Sequence, residues 1–239
     1  EEPYPPYNRC LLTDLLCDEV RPEKLFETVE PPLEDAGVAL RTGVEVLRVD
    51  TQEKKVHLED GAELSYDKLL VATGRRPVIG DTLLPYANFI QNYYTLDDVL
   101  RLKEQLPRIE RAVVSGQAVS TLTLLTGLSR LGKQVTYVIK GPRVDIPLVE
   151  SSPSDLDAAI ENLGVEIVRE DRIVTVRQED NGYRVETYQG REFDGDVVFA
   201  YEAYRPSIRC VRGSGIEVNK GILVDLEMHT SVEDVYAAG

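Results

Sequence analysis

Cysteine and histidine are scarce in this chain, and their scarcity excludes several kinds of site. The three cysteines are Cys10, Cys17 and Cys210, and no two of them have the C-x-x-C spacing. Because an odd and sparse set argues against the disulfide framework of a small secreted domain, we interpret the cysteines as packing residues. The two histidines, His57 and His229, are far apart in sequence, so a His/Cys metal site is not expected.

Long apolar runs and a basic surface are also missing. The chain has no apolar run of about 18 residues and no secretory signal, so we expect no membrane segment and a cytoplasmic location. It has 42 acidic and 27 basic residues, a formal net charge of −15. Such a surface repels nucleic acid and anionic lipid, and neither is expected as a partner. With 239 residues, of which 42% are hydrophobic, the chain is suited to one large or two small folded domains.

The N-terminal part of the chain has the pattern of short helices followed by strands. Residues 1–8 form a proline-rich extended segment, and helices are predicted over 11–17 and 22–29, the second ended by the prolines at 31–32. Alternating apolar and polar residues predict strands over 38–50, 54–60 and 62–73. Residues 69–72 are an unbroken apolar run, which is typical of a strand that is buried on both faces.

The most regular pattern lies between residues 112 and 139. A buried strand over 112–115 leads into a turn at Gly116, and a helix then runs from about Ser120 to Leu131, where Gly132 stops it. That helix carries Leu122, Leu125, Leu128 and Leu131 at a spacing of three. A further strand follows over 134–139. Strand, helix and strand in this order predict a βαβ unit, whose two strands should be parallel.

Further elements are predicted before and after this unit. Helices are expected over 95–105, with Thr95 as N-cap, and over 154–163. Strands are expected over 165–169, 172–178, 183–188, 196–200, 222–225 and 235–239. Asp180-Asn181-Gly182 indicates a hairpin turn. The last apolar strand stops at the chain end, and we therefore expect the chain to be an internal fragment of a longer protein.

Three pieces of sequence together carry a family resemblance. They are residues 70–77 (Leu-Val-Ala-Thr-Gly-Arg-Arg-Pro), the βαβ unit over 112–139, and residues 230–239 (Thr-Ser-Val-Glu-Asp-Val-Tyr-Ala-Ala-Gly). In this order and at this separation they resemble the pyridine nucleotide-disulfide oxidoreductase superfamily, and the last piece is the most specific. Residues 7–13 resemble the branch that contains rubredoxin reductases and nitrite reductase flavoproteins.

The resemblance implies an α/β fold with two Rossmann-like, three-layer dinucleotide-binding domains. The NAD(P)-type domain, over 93–199, would be inserted in an incomplete FAD-type domain, over 1–92 and 200–239. In the family, a G-x-G-x-x-G loop near the start of the FAD-type domain holds the FAD pyrophosphate, and its place would precede residue 1 of this sequence. The aspartate that follows the family's final Ala-Ala-Gly is absent as well.

The resemblance also assigns cofactor-binding residues. Arg9 would meet the FAD pyrophosphate, because a guanidinium pairs well with phosphate oxygens. Val46 would lie beside the adenine. The backbone of residues 72–74 would approach the flavin nucleotide closely. The full set of candidates on the FAD side is Arg9, Val46, Ala72, Thr73, Gly74, Arg75, Ala238 and Gly239.

On the nicotinamide side the candidates are Gly116 and Ala118, and here the chain departs from the family. The family loop is G-x-G-x-x-G, whereas residues 116–121 keep only the first glycine. Ala118 adds a methyl group where backbone should approach the pyrophosphate, and Thr121 is bulky where helix and strand should touch.

Two further departures affect the same side. The acidic residue that would grip the ribose hydroxyls falls at Ile139, and Lys140, next to it, could favour a 2′-phosphate and hence NADP. The family's A-x-G-x-R-P motif, over 201–206, is altered as well. NAD(P)H binding is therefore less well supported than FAD binding.

Three functions stay open from the sequence. The resemblance implies an enzyme that passes electrons from NAD(P)H through FAD to an acceptor, for instance a small redox protein. The altered loop favours a non-catalytic dinucleotide-fold module with a degenerate NAD(P) site, or a fragment without either activity. Disulfide reduction is not expected, because the chain lacks the close cysteine pair that the family's disulfide reductases place beside the flavin.

Overall fold

Three separated stretches of the chain fold together as one unit, and two others fold as a second. A computed structural model describes residues 2–27, 33, 35–145, 153–201 and 203–239. Unit 1 comprises Glu1–Tyr7, Phe26–Arg76 and Tyr204–Gly239, and unit 2 comprises Asn8–Leu25 and Pro77–Ala203. The predicted domain bounds differ from this division in that Asn8–Leu25 and residues 77–92 and 200–203 belong to unit 2. Which dinucleotide each domain binds stays a prediction.

The described elements have the following bounds. The helices are α1 (Leu12–Leu16), α2 (Leu96–Gln105), α3 (Val119–Arg130) and α4 (Pro153–Asn162). The strands are β1 (Val46–Asp50), β2 (Lys55–Leu58), β3 (Glu63–Ser65), β4 (Leu69–Val71), β5 (Arg75–Val78), β6 (Arg111–Ser115), β7 (Gln134–Val138), β8 (Glu166–Val168), β9 (Ile173–Glu179), β10 (Gly182–Thr187), β11 (Glu192–Gly195), β12 (Val197–Ala200), β13 (Ala203–Pro206) and β14 (Val235–Ala237). Short 3₁₀ segments cover Arg9–Leu11, Pro22–Phe26, Asp81–Phe89, Leu106–Arg108 and Arg209–Val211.

Unit 1 contains an antiparallel sheet, β1-β2-β3, and a parallel pair, β14-β4. The strand predicted over 38–50 is present only from Val46, because the residues before it have no strand partner in the structure. The strand predicted over 62–73 is two strands that belong to different sheets. Between Ile222 and Val218 there is only an isolated bridge, so the strand predicted over 222–225 was wrong.

The core of unit 1 also corrects two expectations about burial. Cys210 is 6% exposed and packs in this core beside Val211, which confirms its role as a packing residue. In unit 2, by contrast, Cys10 is exposed, so that interpretation was wrong for Cys10. Leu70 is 60% exposed although its neighbour Val71 is buried. The apolar run of β4 is therefore buried on one face only, because successive side chains point to opposite faces and the face of Leu70 is exposed.

Unit 2 is organised by a parallel sheet in the order β12-β6-β7-β8. β6 and β7 pair in parallel, with Val113 opposite Thr136, and α3 connects them, which confirms the predicted βαβ unit. The buried side of α3 is formed by Thr121, Leu124, Leu125 and Leu128. This stripe follows the helical period of 3.6 residues rather than the strict spacing of three read from the leucines.

Two other predictions in unit 2 are confirmed in detail. Thr95 is the N-cap of α2: its hydroxyl accepts a hydrogen bond from the Asp98 amide at 3.2 Å, and the Asp98 carboxylate accepts one from the Thr95 amide at 2.9 Å. The predicted hairpin turn joins β9 to β10: Glu179 pairs with Gly182, so the turn itself is Asp180-Asn181 and Gly182 begins β10. The hairpin extends to β11, a strand that the sequence pattern did not indicate.

Several helix predictions can be compared only in part. The helix predicted over 11–17 is α1, and the one predicted over 154–163 is α4. The helix predicted from Pro22 is a 3₁₀ segment that reaches Phe26. Residues 28–32, including the two prolines expected to end that helix, lie outside the described residues. None of the helices among the described residues has the length and apolarity needed to cross a membrane.

Candidate functional site

In unit 1 a cavity of about 260 Å³ opens where β4 and β14 end. Because the two strands are parallel, the residues that follow them emerge at the same edge of the sheet. Thr73 and Gly74 follow β4, and Ala238 and Gly239 follow β14; all four line this cavity. The remaining lining residues are Val71, Pro206, Ile208, Gly221, Ile222, Val224, Met228 and Ala237. The carboxyl edge of parallel strands is where open α/β sheets bind their ligands.

The edge of this cavity is backbone with little side chain over it. Gly74 has φ +63°, a conformation that favours glycine, and a Cβ placed there would meet no atom within 4 Å. The Ser207 amide donates to the Gly74 carbonyl at 2.9 Å, which fixes the turn. Thr73, Gly74 and Ala238 are all exposed. A ligand can therefore approach the main chain of these residues directly.

The other wall of the cavity is apolar. Val224 and Met228 are 41% and 49% exposed, and Ile208 and Ile222 lie beside them in the lining. Among the described lining residues none is charged. An apolar wall facing accessible main chain is the usual composition of a site for a flat organic cofactor. The volume is slightly below the range of about 300–1,000 Å³ that is common for small-molecule sites.

Three other candidates on the FAD side lie in unit 1 but do not line this cavity. Val46 begins β1 and packs against the core of unit 1. Ala72 is exposed, between Val71 and Thr73. Arg75 places its guanidinium over the ring of Tyr204, with 4.8 Å between the guanidinium carbon and the ring centroid. The structure thus brings together Thr73, Gly74, Ala238 and Gly239, and leaves Val46, Ala72 and Arg75 outside the lining.

Arg9 belongs to unit 2, in the 3₁₀ segment Arg9–Leu11. Its Nη1 donates to the Tyr94 carbonyl oxygen at 2.8 Å, and its guanidinium carbon lies 4.9 Å from the centroid of the Tyr94 ring. Asn8 caps the segment by accepting a hydrogen bond from the Cys10 amide. Arg9 is exposed, so it is accessible to an anion, although its guanidinium is already engaged with Tyr94.

A second cavity, of about 70 Å³, lies in unit 2 at the carboxyl edge of its parallel sheet. The end of β6 contributes Ser115, and the turn after it contributes Gly116 and Gln117. Lys140 follows β7, and Arg172 precedes β9. The rest of the lining is formed by Gly80, Thr82, Leu83, Ile173, Ala200 and Tyr201. A volume this small holds a compact group of atoms rather than a whole dinucleotide.

Glycine is favoured at position 116 by its backbone conformation and by close neighbours within the protein. It has φ +148°, and a Cβ placed there would lie 3.1 Å from the Tyr201 carbonyl oxygen and 3.1 Å from Thr121 Oγ1. The Tyr137 hydroxyl donates to the Gly116 carbonyl oxygen at 2.6 Å. Burial raises the pKa of Tyr137, so its hydroxyl keeps the proton that it donates. The hydrogen bond from Tyr137 thus holds the turn in place independently of any ligand.

Ala118 and Thr121 stand where the family has its other two glycines, and the fold accommodates both. Ala118 is the N-cap residue of α3 with φ −136° and ψ 159°, an extended conformation open to any residue. Its side chain makes no capping hydrogen bond. Thr121 is 2% exposed, and its hydroxyl has no hydrogen-bond partner among the described residues. The N-cap residue thus gives α3 no side-chain cap, and the Thr121 amide donates to the Ala118 carbonyl oxygen at 2.9 Å.

Arg172 is the lining residue that sequence reasoning missed. The sequence pattern placed it at the start of a strand, where an exposed arginine carries no functional signal. In the structure it precedes β9, and its guanidinium carbon lies 4.3 Å from the centroid of the Tyr188 ring. Only the β9-β10 hairpin brings these two residues together, so neither position alone could have indicated the contact.

Comparison with known proteins identifies a family model and several relatives that match the chain. A family model described as pyridine nucleotide-disulphide oxidoreductase matches residues 1–239. The chain is 28% identical to the assimilatory nitrate reductase electron transfer subunit of Bacillus subtilis, over 100% of this chain and 31% of that protein. It is 30% identical to the rubredoxin-NAD(+) reductase of Alcanivorax borkumensis, over 89% of this chain and 56% of that protein. The chain therefore spans only part of the length of these relatives.

The fold is shared with solved structures. A chain of the covalent putidaredoxin reductase-putidaredoxin complex superposes with a TM-score of 0.89 at 23% identity, covering 100% of this chain and 59% of that one. At this level of identity the likeness concerns the fold, which is the α/β, Rossmann-like architecture predicted from the sequence.

Proposed function

Because the chain belongs to the pyridine nucleotide-disulphide oxidoreductase family, we propose that the protein containing it passes electrons from a nicotinamide dinucleotide through FAD to an acceptor. The observation that carries the proposal is the cavity of unit 1. Four residues that the family resemblance assigned to FAD meet in its lining, although Thr73 and Gly74 are far from Ala238 and Gly239 in the chain.

The lining of this cavity is suited to FAD. Exposed main chain at Thr73 and Gly74 offers close approach, and Val224 and Met228 offer an apolar wall. Bound FAD would supply the hydride and single-electron chemistry, while the protein binds and orients it. Within the same proposal, Val46, Ala72 and Arg75 of unit 1 belong to the FAD site in the full protein. The assignment of Arg9, in unit 2, to FAD stays a prediction. The FAD-type domain comprises 1–92 and 200–239, and the NAD(P)-type domain comprises 93–199.

The proposed nicotinamide site is the carboxyl edge of the sheet in unit 2. Gly116 and Ala118 form the turn between β6 and α3, and the first amides of α3 lie next to it. Helix amides with no side-chain cap attract a pyrophosphate group. The alternative function is a dinucleotide-fold module whose nicotinamide site has lost its activity, and Ala118 and Thr121 in place of glycine favour it.

The acceptor is proposed to be a small redox protein or another redox centre. The rubredoxin-NAD(+) reductase and the nitrate reductase electron transfer subunit carry such roles in their names. The acidic surface of this chain would favour an acceptor with a basic docking face. A cytoplasmic location is part of the same proposal, because the sparse cysteines suit a reducing compartment.

The test is the absorption spectrum of the protein at its full natural length, purified, saturated with FAD and then mixed with NADH or NADPH without oxygen. A flavin band that bleaches with either dinucleotide supports electron transfer. A flavin band that neither dinucleotide bleaches supports the module with an inactive nicotinamide site. A protein that retains no flavin refutes the FAD site.

Variants locate the flavin. Ala238→Leu places a larger side chain in the cavity of unit 1, and we expect it to weaken FAD binding at least ~10-fold. Ala36→Leu is the matched control, because Ala36 is an exposed alanine of the same unit that does not line the cavity. Equal FAD affinity in both variants would place the flavin elsewhere.

A further inference from the structure

Tyr137 is a buried tyrosine whose hydroxyl contacts the turn after β6. It lies in β7, opposite Val114 of β6, and is 0% exposed. Its hydroxyl donates to the Gly116 carbonyl oxygen at 2.6 Å. A phenylalanine ring would fill the same space in the core, and a buried hydroxyl needs a hydrogen-bond partner. The hydroxyl of Tyr137 therefore contributes to the turn something that packing alone does not.

This hydrogen bond fixes the orientation of the peptide group between Gly116 and Gln117. A trans peptide group is planar, and its N–H points in the direction opposite to its C=O. The Gly116 carbonyl is directed at the buried Tyr137 hydroxyl, so the Gln117 N–H is directed away from it. Gln117 is exposed and lines the cavity of about 70 Å³. Its amide is thus presented on the exposed side of the turn, at the carboxyl edge of the sheet.

The Gln117 amide is available to a ligand. It makes no hydrogen bond to a described residue, whereas the Thr121 amide is used within α3, where it donates to the Ala118 carbonyl oxygen at 2.9 Å. Helix α3 begins two residues after Gln117, at Val119. A backbone donor beside a helix N-terminus attracts an anion, and the anion of the proposed nicotinamide site is the pyrophosphate.

Glycine at position 116 makes the orientation of this peptide group depend on a hydrogen bond. Because glycine has no Cβ, the peptide group that follows it can rotate at little steric cost. After half a turn it would present the Gly116 carbonyl oxygen to the anion in place of the Gln117 amide, and a carbonyl oxygen repels phosphate. The same rotation would leave the buried Tyr137 hydroxyl without its acceptor. Tyr137 therefore opposes the rotation.

We propose that Tyr137 is a positioning residue of the nicotinamide site, which holds the peptide group after Gly116 so that the Gln117 amide donates to the pyrophosphate of the dinucleotide. This inference rests on the proposed function and adds a residue to its binding site. Tyr137 is 0% exposed, so it acts through the turn without touching the dinucleotide. A donor that is oriented before binding lowers the conformational cost of binding. NADH and NADPH both carry a pyrophosphate, so the role is the same for either.

The first test follows the Gln117 amide by NMR in the full-length, FAD-loaded protein labelled with ¹⁵N-glutamine. The probes are NAD⁺, NADP⁺ and adenosine, which lacks phosphate. We expect the Gln117 amide proton to move downfield with the dinucleotide that binds and to stay in place with adenosine, because a hydrogen bond to a charged oxygen is short and strong. An unmoved Gln117 amide at saturating dinucleotide would overturn the inference. Binding of neither dinucleotide would refute the proposed nicotinamide site and this role together.

Variants assign the effect to the Tyr137 hydroxyl. Tyr137→Phe should weaken dinucleotide binding ~10-fold, the effect of losing one buried hydrogen bond. Tyr137→para-aminophenylalanine keeps an N–H donor at the same place and should restore most of the affinity. Tyr93→Phe is the matched control in unit 2: Tyr93 is 4% exposed, its hydroxyl lies 2.9 Å from Thr13 Oγ1, and it does not line the cavity. If Tyr137→Phe does not fold, the amide shift in the unaltered protein decides.

Rapid-mixing measurements of flavin reduction separate this inference from the function on which it rests. In Tyr137→Phe we expect the Kd of the reduced dinucleotide to rise ~10-fold, while the rate of flavin reduction at saturation stays within about 2-fold of the unaltered protein. Flavin reduction with the same Kd in Tyr137→Phe and Tyr93→Phe would keep the proposed function and overturn the role of Tyr137. An unchanged Kd with a lower saturating rate would overturn it too.

Discussion

Replacing Thr121 with valine is expected to stabilise the protein. Thr121 lies in the first turn of α3 and is 2% exposed, and its hydroxyl has no hydrogen-bond partner among the described residues. A buried hydroxyl without a partner costs about 1–3 kcal/mol. Valine has nearly the same shape and carries a methyl group in place of the hydroxyl. Since that methyl group is slightly larger and Gly116 is close, we expect a net gain of about 1 kcal/mol.

The matched control is Thr126→Val on the same helix. The Thr126 hydroxyl donates to the Leu122 carbonyl oxygen at 2.9 Å, so this substitution removes a hydrogen bond that is made. Helix propensity changes equally in both variants and therefore cancels in the comparison. We expect Thr126→Val to be neutral or destabilising by up to about 1 kcal/mol.

Hydrogen exchange of the α3 amides measures both effects locally. Leu124, Leu125 and Leu128 are buried residues of α3, and the exchange of their amides reports the free energy of opening this helix. A local measurement is preferable to a single unfolding midpoint because the chain contains two units. If Thr121→Val protected these amides no better than Thr126→Val, the Thr121 hydroxyl would have a partner in solution and the reasoning would be wrong.

Two further substitutions have defined outcomes. Burial alone would raise the pKa of Asp196, but hydrogen bonds from the amides of Arg111 and Glu110, each at 2.8 Å, lower it below the ordinary value. The stabilisation by the ionised carboxylate is therefore present above about pH 4 and is lost as the pH falls through the lowered pKa of Asp196. In urea titrations, Asp196→Asn should reduce the free energy of unfolding by about 1–2 kcal/mol at pH 7 and by less at pH 3. Gly182→Ala should cost about 1–3 kcal/mol by the same measurement, because φ is +128° and the added Cβ would lie 2.6 Å from the Gly195 carbonyl oxygen.

Each of these two substitutions has a control in the same hairpin region. Asp194→Asn removes an exposed carboxylate paired with Arg184 at 2.7 Å, and surface pairs contribute only about 0–1 kcal/mol. An equal pH dependence in Asp194→Asn and Asp196→Asn would contradict the role of the two amides. Gly190→Ala meets no atom within 4 Å and has only the backbone cost of φ +76°. A smaller loss in Gly182→Ala than in Gly190→Ala would contradict the steric argument.

The parts of the fold that could be predicted from sequence are those that local chemistry determines. Thr95 and Asp98 form a capping box within four consecutive residues, and the turn at Asp180 and Asn181 joins two strands that are adjacent in sequence. The exposure of Leu70 could not be predicted in the same way. An apolar residue in a strand is buried only if another layer covers it, and this depends on distant parts of the structure.

The residues of the candidate sites also differ in whether their position could be predicted from the sequence. Thr73 and Ala238 could be predicted to meet, because each follows an apolar strand and parallel strands end at a common edge. Lys140 was indicated by its place after the second strand of the βαβ unit. Arg172 had no such signal, since its position depends on Tyr188 across the hairpin. Motif spacing thus predicts where main chain meets a ligand, whereas side chains that come from a neighbouring hairpin need the structure.

The first glycine of the loop after β6 is weaker support for nucleotide binding than its place in the motif implies. A Cβ at Gly116 would lie 3.1 Å from both the Tyr201 carbonyl oxygen and Thr121 Oγ1, and φ is +148°, so the fold favours glycine there even without a ligand. Ala118 and Thr121 occupy positions where the fold accepts a side chain. Neither the glycine that is present nor the two that are absent decides whether the site works.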